Sequence, residues 1–171
     1  CTATTATFTL QASDGMLTSM DTLTVTVTAN TAPTLSYNNA SVPLNGSTTV
    51  NPATGPSDNG SVASIVVQSA GTYTGTISVD NTTGIVSISN AAPYGTHTIT
   101  IRATDNCGAV TDATFTLTVG APVCVAPATV YVDDNWVGTT PGSDPDGAGP
   151  ATSFGCDSFA TIQDGVNGVA N

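Results

Sequence analysis

Four aspartates in the last third of the chain are the residues best suited to bind a metal ion. Asp133 and Asp134 are adjacent, and Asp144 and Asp146 stand in the stretch SDPDGAG. The Asp-x-Asp-Gly spacing is that of half a calcium loop, and hard oxygen ligands on a flexible backbone suit Ca²⁺. The third carboxylate and the distal glutamate of a complete loop are missing, and Asp-Pro and Asp-Gly are common turn formers. The sequence therefore leaves two interpretations, a structural calcium site or a solvated turn, and indicates no other cofactor.

The cysteines Cys1, Cys107, Cys124 and Cys156 are expected to form disulfide bonds. They contain no CxxC pair and the chain has one histidine, so a zinc site is not indicated. Three pairings are open if all four bond within the chain. Cys107–Cys124 is attractive because a strand could lie between them, whereas Cys124–Cys156 would staple the C-terminal segment. Cys1 could alternatively find its partner in another copy.

The side chains that could perform catalysis do not form a catalytic set. His97 shares the parity of Ile99 and Ile101 in a predicted core strand, and no motif places a nucleophile beside it. Asp133 and Asp134 cannot flank one glycosidic bond, because adjacent residues of a strand point to opposite faces. We therefore expect a packed histidine, and a chain that is not an enzyme.

The charge balance excludes nucleic acid as a partner. The 171 residues include 12 aspartates, no glutamate, no lysine and one arginine, which gives a formal net charge of -11. Phosphate binding needs clustered Lys and Arg, and the single Arg102 is expected to pair with a neighbouring aspartate. No apolar run approaches the roughly 18 residues of a membrane span. Because no signal peptide is visible either, we expect that Cys1 is not the first residue of the gene product.

Composition favours an extracellular or cell-surface β-protein. Threonine makes up roughly a fifth of the chain and good helix formers are scarce. β-Branched residues suit a pleated, half-buried surface. The fold class predicted from these features is all-β.

The chain divides into three predicted parts. Residues 1–31 form a hairpin of two period-2 strands, residues 32–120 form a complete β-sandwich, and residues 121–171 form a strand, a Gly/Pro/Asp loop and a short helix. The candidate strands of the middle part are Thr34–Tyr37, Ser47–Val50, Ser61–Gln68, Thr72–Asp80, Gly84–Ser89, Gly95–Thr104 and Thr111–Val119. This number of short strands in about ninety residues is typical of an immunoglobulin-like sandwich.

Two stretches of the chain repeat one pattern. The first, TATFTLQASDGMLTSMDTLTVTV, and the second, THTITIRATDNCGAVTDATFTLTV, each run strand, Ala-(Ser/Thr)-Asp, turn, strand. Asp14 and Asp105 are expected to cap these turns through neighbouring backbone N–H groups. The second copy ends a domain, so the first is expected to be an incomplete repeat. The residues predicted to line the core of the sandwich are Ile77, Val79, Ile99, Ile101, Phe115, Leu117 and Val119.

The pattern APTL…GTHTITIRATDNCGAVTDATFTLTV resembles the Ig-like and cadherin-like repeats of bacterial extracellular proteins. The resemblance covers residues 1–120 and implies spacers, stalks and filament units. Cadherin calcium joints rely on glutamate-containing motifs, which this chain lacks.

The last part carries a second resemblance. ATVYVDDNW…SFATIQDGV resembles the N-terminal cap of right-handed parallel β-helix proteins of the pectate-lyase-like class. The residues themselves predict a strand at Thr129–Val132 and, from helical spacing, a short helix carrying Phe159, Ile162, Val166 and Val169 on one face.

These features predict a non-catalytic, secreted structural protein, a sandwich subunit of a bacterial surface stalk or filament. The apolar face of residues 1–30 must be covered, because two strands alone are marginal in water. An upstream part of the same protein could cover it, residues 121–171 could fold back onto it, or other copies of the chain could supply strands by complementation. The alternatives are the linker and cap of a polysaccharide-acting β-helix enzyme, and an adhesin or glycan-binding module. Trp136 could stack on a sugar, but one aromatic residue is weak evidence for a carbohydrate site, and we expect it to cover the end of the sandwich or the helix.

Overall fold

The longest strands of the sandwich are those in which threonine alternates with apolar residues. In the computed structural model, which describes residues 1–169, β10 (Gly95–Asp105) and β11 (Val110–Gly120) form an antiparallel hairpin. Ile99 lies opposite Phe115, and Thr100 lies opposite Thr114. Paired residues share a face, so one face of the hairpin is apolar and the other is lined mainly by threonine.

This hairpin forms the centre of the first sheet. β7 (Val62–Ser69) pairs antiparallel with β10, and β4 (Ala40–Pro43) pairs parallel with β11, which gives the order β4-β11-β10-β7. The parallel edge strand covers only four residues and ends in proline, as an edge strand can.

The second layer contains the remaining strands of the middle part. β5 (Thr48–Val50) pairs with β9 (Val86–Ser89), which pairs with β8 (Thr76–Val79). β6 (Pro52–Ser57) pairs with β3 (Thr34–Tyr37), and one residue separates β5 from β6. Residues 48–57 therefore connect the two groups, and both contribute side chains to the same core as the first sheet. The immunoglobulin-like sandwich class is confirmed.

The core lies between these two layers. Of the predicted core residues, Ile99, Ile101, Phe115, Leu117 and Val119 are buried, and Ile77 and Val79 are partly buried against them. Tyr37 closes one side, with its hydroxyl donating to the Gly84 carbonyl at 2.6 Å and its ring 5.4 Å from that of Phe115.

Residues 1–31 carry a second hairpin, separate from these sheets. β1 (Thr4–Ser13) pairs only with β2 (Thr18–Val27) among the described residues. Asp14 closes the turn, its Oδ1 accepting from the N–H groups of Met16 (2.9 Å) and Leu17 (2.7 Å), as expected.

The C-terminal segment is built on a short parallel pair of strands. β12 (Tyr131–Val132) pairs with β13 (Ser158–Phe159), a 3₁₀ turn spans Asp134–Trp136, and α1 spans Ile162–Gly168. The predicted apolar helix face is wrong. Phe159 lies in β13 and Val169 follows the helix, while Ile162 and Val166 are exposed. The helix instead approaches the strands through glycines, with Gly165 against Val132 and Gly168 against Phe159.

Residues 170 and 171 of the predicted third part lie outside the described residues. The division at residues 31 and 120 stays a prediction. No helix between residues 1 and 169 has the length and apolar character needed to cross a membrane.

Candidate functional site: the hairpin face and its joint

One face of the β1–β2 hairpin is apolar and open to solvent. Phe8 lies opposite Leu23, and these side chains are 52% and 49% exposed. The side chains of this surface, called here the hairpin face, are Ala6, Phe8, Leu10, Leu23, Val25 and Val27, all exposed within the described chain. Asp21 lies opposite Leu10 and marks the end of the face next to the turn. The opposite side of the hairpin carries the threonine pairs Thr5–Thr26, Thr7–Thr24 and Thr9–Thr22.

The β10–β11 hairpin of the sandwich has the same register. Each cross-strand pair of the first hairpin has an equivalent in the second. Ala6–Val25 corresponds to His97–Leu117, Phe8–Leu23 corresponds to Ile99–Phe115, and Ala12–Ser19 corresponds to Ala103–Thr111. Ile99 and Phe115 are 0% and 3% exposed, whereas their equivalents are about half exposed. The chain thus holds two copies of one hairpin, of which only one is covered among residues 1–169.

A disulfide bond ties the open end of the first hairpin to the sandwich. Cys1 bonds to Cys107 in the turn between β10 and β11, and Cys124 bonds to Cys156. The proposed Cys107–Cys124 pairing is wrong. At about 3.4 Å per residue, the 11 residues of β11 separate Cys107 from Cys124 by more than about 30 Å, and a disulfide needs Cα atoms within roughly 7 Å.

Side-chain amides reinforce this joint. The Asn30 Nδ2 donates to Asp105 Oδ2 at 2.6 Å, and Asn59 Nδ2 donates to the Ala29 carbonyl at 2.9 Å. Asp105 also caps its own turn, its Oδ1 accepting from Cys107 N and Ala109 N at 2.8 Å each. Asp105 is buried, so each of these donors replaces a lost water contact.

The hydrogen bond from Asn30 is the largest cause that lowers the pKa of Asp105. Burial acts in the opposite direction, and the N–H groups of Ala109 and Cys107 lower the pKa further. The charged form is therefore favoured in the folded protein. Its contribution is complete above the ordinary aspartate pKa and is lost as the pH falls through the lower folded pKa.

We expect Asp105→Asn to remove part of the acid sensitivity of the protein. Asparagine keeps an acceptor for the turn but carries no charge, so wild type should exceed the variant in stability most above about pH 4. Urea unfolding from pH 7 to pH 2, followed by circular dichroism, measures this difference. A difference that stays constant over the whole range would contradict the assignment.

His97 is a packed residue, as expected. Its Nε2 lies 2.8 Å from the Pro93 carbonyl oxygen and its Nδ1 lies 2.8 Å from the Thr72 hydroxyl. A carbonyl can only accept, so Nε2 donates to it, and Nδ1 pairs with the Thr72 hydroxyl. The ring of Tyr73 meets the imidazole edge-on at 5.6 Å. Both nitrogens are thus engaged within the sandwich.

Arg102 pairs across the strands with Asp112, as expected. Nε and Nη2 each donate to one carboxylate oxygen at 2.7 Å. The Arg102 hydrogen bond lowers the pKa of Asp112. Both side chains are substantially exposed, so solvent screens the attraction and the pair contributes little to stability.

The four predicted calcium ligands lie in turns. Asp133 caps the 3₁₀ turn through Asn135 N at 2.9 Å, and Asp134 lies in its first turn. The Asp144 Oδ1 accepts from Asp146 N (3.1 Å) and Gly147 N (2.8 Å). No three acidic, His or Cys side chains come together between residues 1 and 169. Calcium binding stays a prediction.

The C-terminal segment contains an open groove of about 510 Å³. It is bounded by the Cys124–Cys156 disulfide, the rings of Phe154 and Phe159, and Asp164 of α1. Trp136 is not among the residues that line it.

Sequence reasoning did not find the amide contacts of the joint. Asn30 and Asn59 stand 75 and about 46 residues before Asp105, so no local pattern relates them. The predicted turn cap at Asp105 was the one local signal.

The strand order places the middle part in the class of immunoglobulin-like sandwiches. No family model matches the sequence, and a comparison with curated proteins finds no match. Among solved structures, the chain is similar to a SusE-like surface-located polysaccharide-binding protein of Bacteroides thetaiotaomicron, with 17% identity, 58% of this chain and 17% of that chain covered, and a TM-score of 0.42. It is also similar to fibronectin(III)-like modules of Clostridium thermocellum, with 17% identity, 67% of this chain and 63% of that chain covered, and a TM-score of 0.38. A third similar structure is Drosophila N-cadherin, with 17% identity, 78% of this chain and 39% of that chain covered, and a TM-score of 0.41. The chain spans less than two thirds of each of these structures.

Proposed function

We propose that this chain is a non-catalytic, extracellular structural subunit whose copies assemble into a stalk or filament through the hairpin face. One observation carries the proposal. The hairpin face repeats the pattern and register of a buried core hairpin, yet its large side chains are about half exposed. An apolar face of this kind on a two-stranded hairpin is marginal in water until another surface covers it.

The disulfides and the composition support an extracellular location. Both disulfides are expected to persist in an oxidising compartment and to be reduced in a cytosol. The polar side chains described above in the sandwich, and those that join the hairpin to it, form hydrogen bonds or ion pairs with other residues of the protein. This agrees with a structural role.

The distribution of charge supports the hairpin face as the meeting point of copies. Two copies that each carry a net charge of -11 repel one another over most of their surface. The first 57 residues contain only the charges of Asp14 and Asp21, and both lie at the turn end of the hairpin. The remainder of the face is the place where copies can approach with least repulsion.

We expect the full chain to assemble as its concentration rises, and more readily in salt, which screens the repulsion. Phe8→Thr/Leu23→Thr should leave a folded monomer, because it removes the two largest paired side chains of the face. Thr7→Ser/Thr24→Ser, on the opposite side of the same hairpin, is the matched control and should assemble like wild type.

Sedimentation velocity and electron microscopy measure the assembly, and circular dichroism checks the fold. The proposal fails if wild type stays monomeric at every concentration and salt tested. It also fails if the Phe8→Thr/Leu23→Thr variant assembles as wild type does.

A further inference from the structure

We infer that the strand covering the base of the hairpin face is residues 121–127 of a second copy, added parallel to β2. This inference rests on the proposed function and names the partner of the same surface. Two features at opposite ends of the molecule carry it. One is the free edge of β2, called here the acceptor edge, and the other is the unpaired apolar segment 121–127, called here the donor segment.

The sandwich itself shows what the edge of such a hairpin accepts. β4 lies parallel to β11, with Ala40 opposite Leu117 and Val42 opposite Val119. Val25 and Val27 of β2 occupy the places of Leu117 and Val119 in the shared register. The equivalent edge of β2 pairs with no strand between residues 1 and 169. It therefore fits a short parallel strand with two apolar residues at a spacing of two.

Residues 121–127, with the sequence APVCVAP, have that pattern. They belong to no sheet in the described chain, and Val123 and Val125 are 84% and 95% exposed. Alternation places Cys124 on the other side, so its bond to Cys156 leaves both valines free. The segment carries no charge, and β4 shows that a four-residue strand ending in proline suffices at this edge.

The expected register follows from the β4 template. Val123 should lie opposite Val25, and Val125 opposite Val27. This contact is at the open end of the hairpin, away from Asp21, the one acidic residue of the two strands.

A chain cannot make this contact with its own hairpin. The joint holds the hairpin base beside the turn that precedes β11, whereas residue 121 follows the far end of β11. The strand between them spans more than about 30 Å, and Cys124 is anchored to Cys156. Each copy thus has one donor segment and one acceptor edge at opposite ends, which gives a head-to-tail contact that repeats.

The donor variant Val123→Asp/Val125→Asp tests the assignment. It changes exposed side chains and should fold, but it should stay monomeric because it brings two charges to an apolar edge. Val137→Asp/Ile162→Asp adds the same charge at two other exposed apolar positions and should assemble like wild type.

Mixing two non-assembling variants makes the test specific. The donor variant keeps an intact acceptor edge, and a Val25→Asp/Val27→Asp variant, changed at the two residues that the donor valines would face, keeps an intact donor segment. An equimolar mixture should form a one-to-one complex and nothing longer, measured by sedimentation velocity. If the mixture stays monomeric, the head-to-tail contact is overturned.

The two proposals can fail separately. If the donor variant assembles like wild type while the Phe8→Thr/Leu23→Thr variant does not, the donor assignment is wrong and the hairpin face still mediates assembly. If wild type never assembles, the proposed function fails first.

Discussion

Replacing Phe115 with alanine is expected to lower the free energy of unfolding by about 3–5 kcal/mol, the usual cost of removing a buried aromatic ring. Phe115 is buried at the centre of the sandwich against Tyr37. Its register equivalent in the first hairpin, Leu23, is half exposed, and Leu23→Ala should cost less than about 1 kcal/mol in the monomer. The two variants compare equivalent positions of one sequence pattern, one buried in the core and the other half exposed to solvent.

Urea unfolding at a concentration where both proteins are monomeric measures the difference. Equal losses for the two variants would show that the hairpin face is covered within the single chain. That result would contradict both the exposure of the face and the assembly built on it.

Removing the Cys1–Cys107 disulfide by Cys1→Ser/Cys107→Ser is expected to lower stability by about 2–4 kcal/mol. The bond spans 106 residues, which include nearly the whole sandwich, so it restricts the unfolded chain strongly. Without the bond, the hairpin is held to the sandwich only by the hydrogen bonds of Asn30 and Asn59 and by the connecting peptide.

The matched control is Cys124→Ser/Cys156→Ser. Both of its cysteines follow the sandwich, so the unfolding transition of the sandwich should stay unchanged. Thermal unfolding of both variants, beside wild type with and without a reducing agent, measures the effect. An unchanged midpoint for Cys1→Ser/Cys107→Ser would show that the joint contributes nothing to stability.

The sandwich could be predicted where hydrophobic alternation is long. β10 and β11 were found to within a residue at each end, because threonine and apolar residues alternate through most of both strands. β4 and β6 were missed, since ASVP and PATGPS are rich in proline and small residues and resemble turns. Their pairing depends on partners far along the chain, which local propensity does not contain.

The hairpin face could be predicted because it is an internal copy of a core hairpin. The pairing of the four cysteines could not be predicted from the sequence. The length of the predicted strand Thr111–Val119 did argue against one pairing, Cys107–Cys124, because a strand of that length holds its ends too far apart for a disulfide bond. The predicted apolar face of the C-terminal helix was wrong. Phe159, Ile162 and Val166 have helical spacing, but α1 packs closely against the strands through Gly165 and Gly168. Glycine adds nothing to a hydrophobic pattern.

The position of Arg102 in β10 determines how the folded protein resists a protease specific for basic residues. A protease that cuts after lysine or arginine finds a single scissile bond in all 171 residues, between Arg102 and Ala103. That bond lies in the middle of β10, hydrogen-bonded to β7 on one side and β11 on the other, and Ala103 is buried. Such a protease needs an extended, unpaired segment in its cleft, so the folded sandwich withholds the only bond that the enzyme can cut. Trypsin resistance of this chain is therefore a direct readout of an intact central sheet.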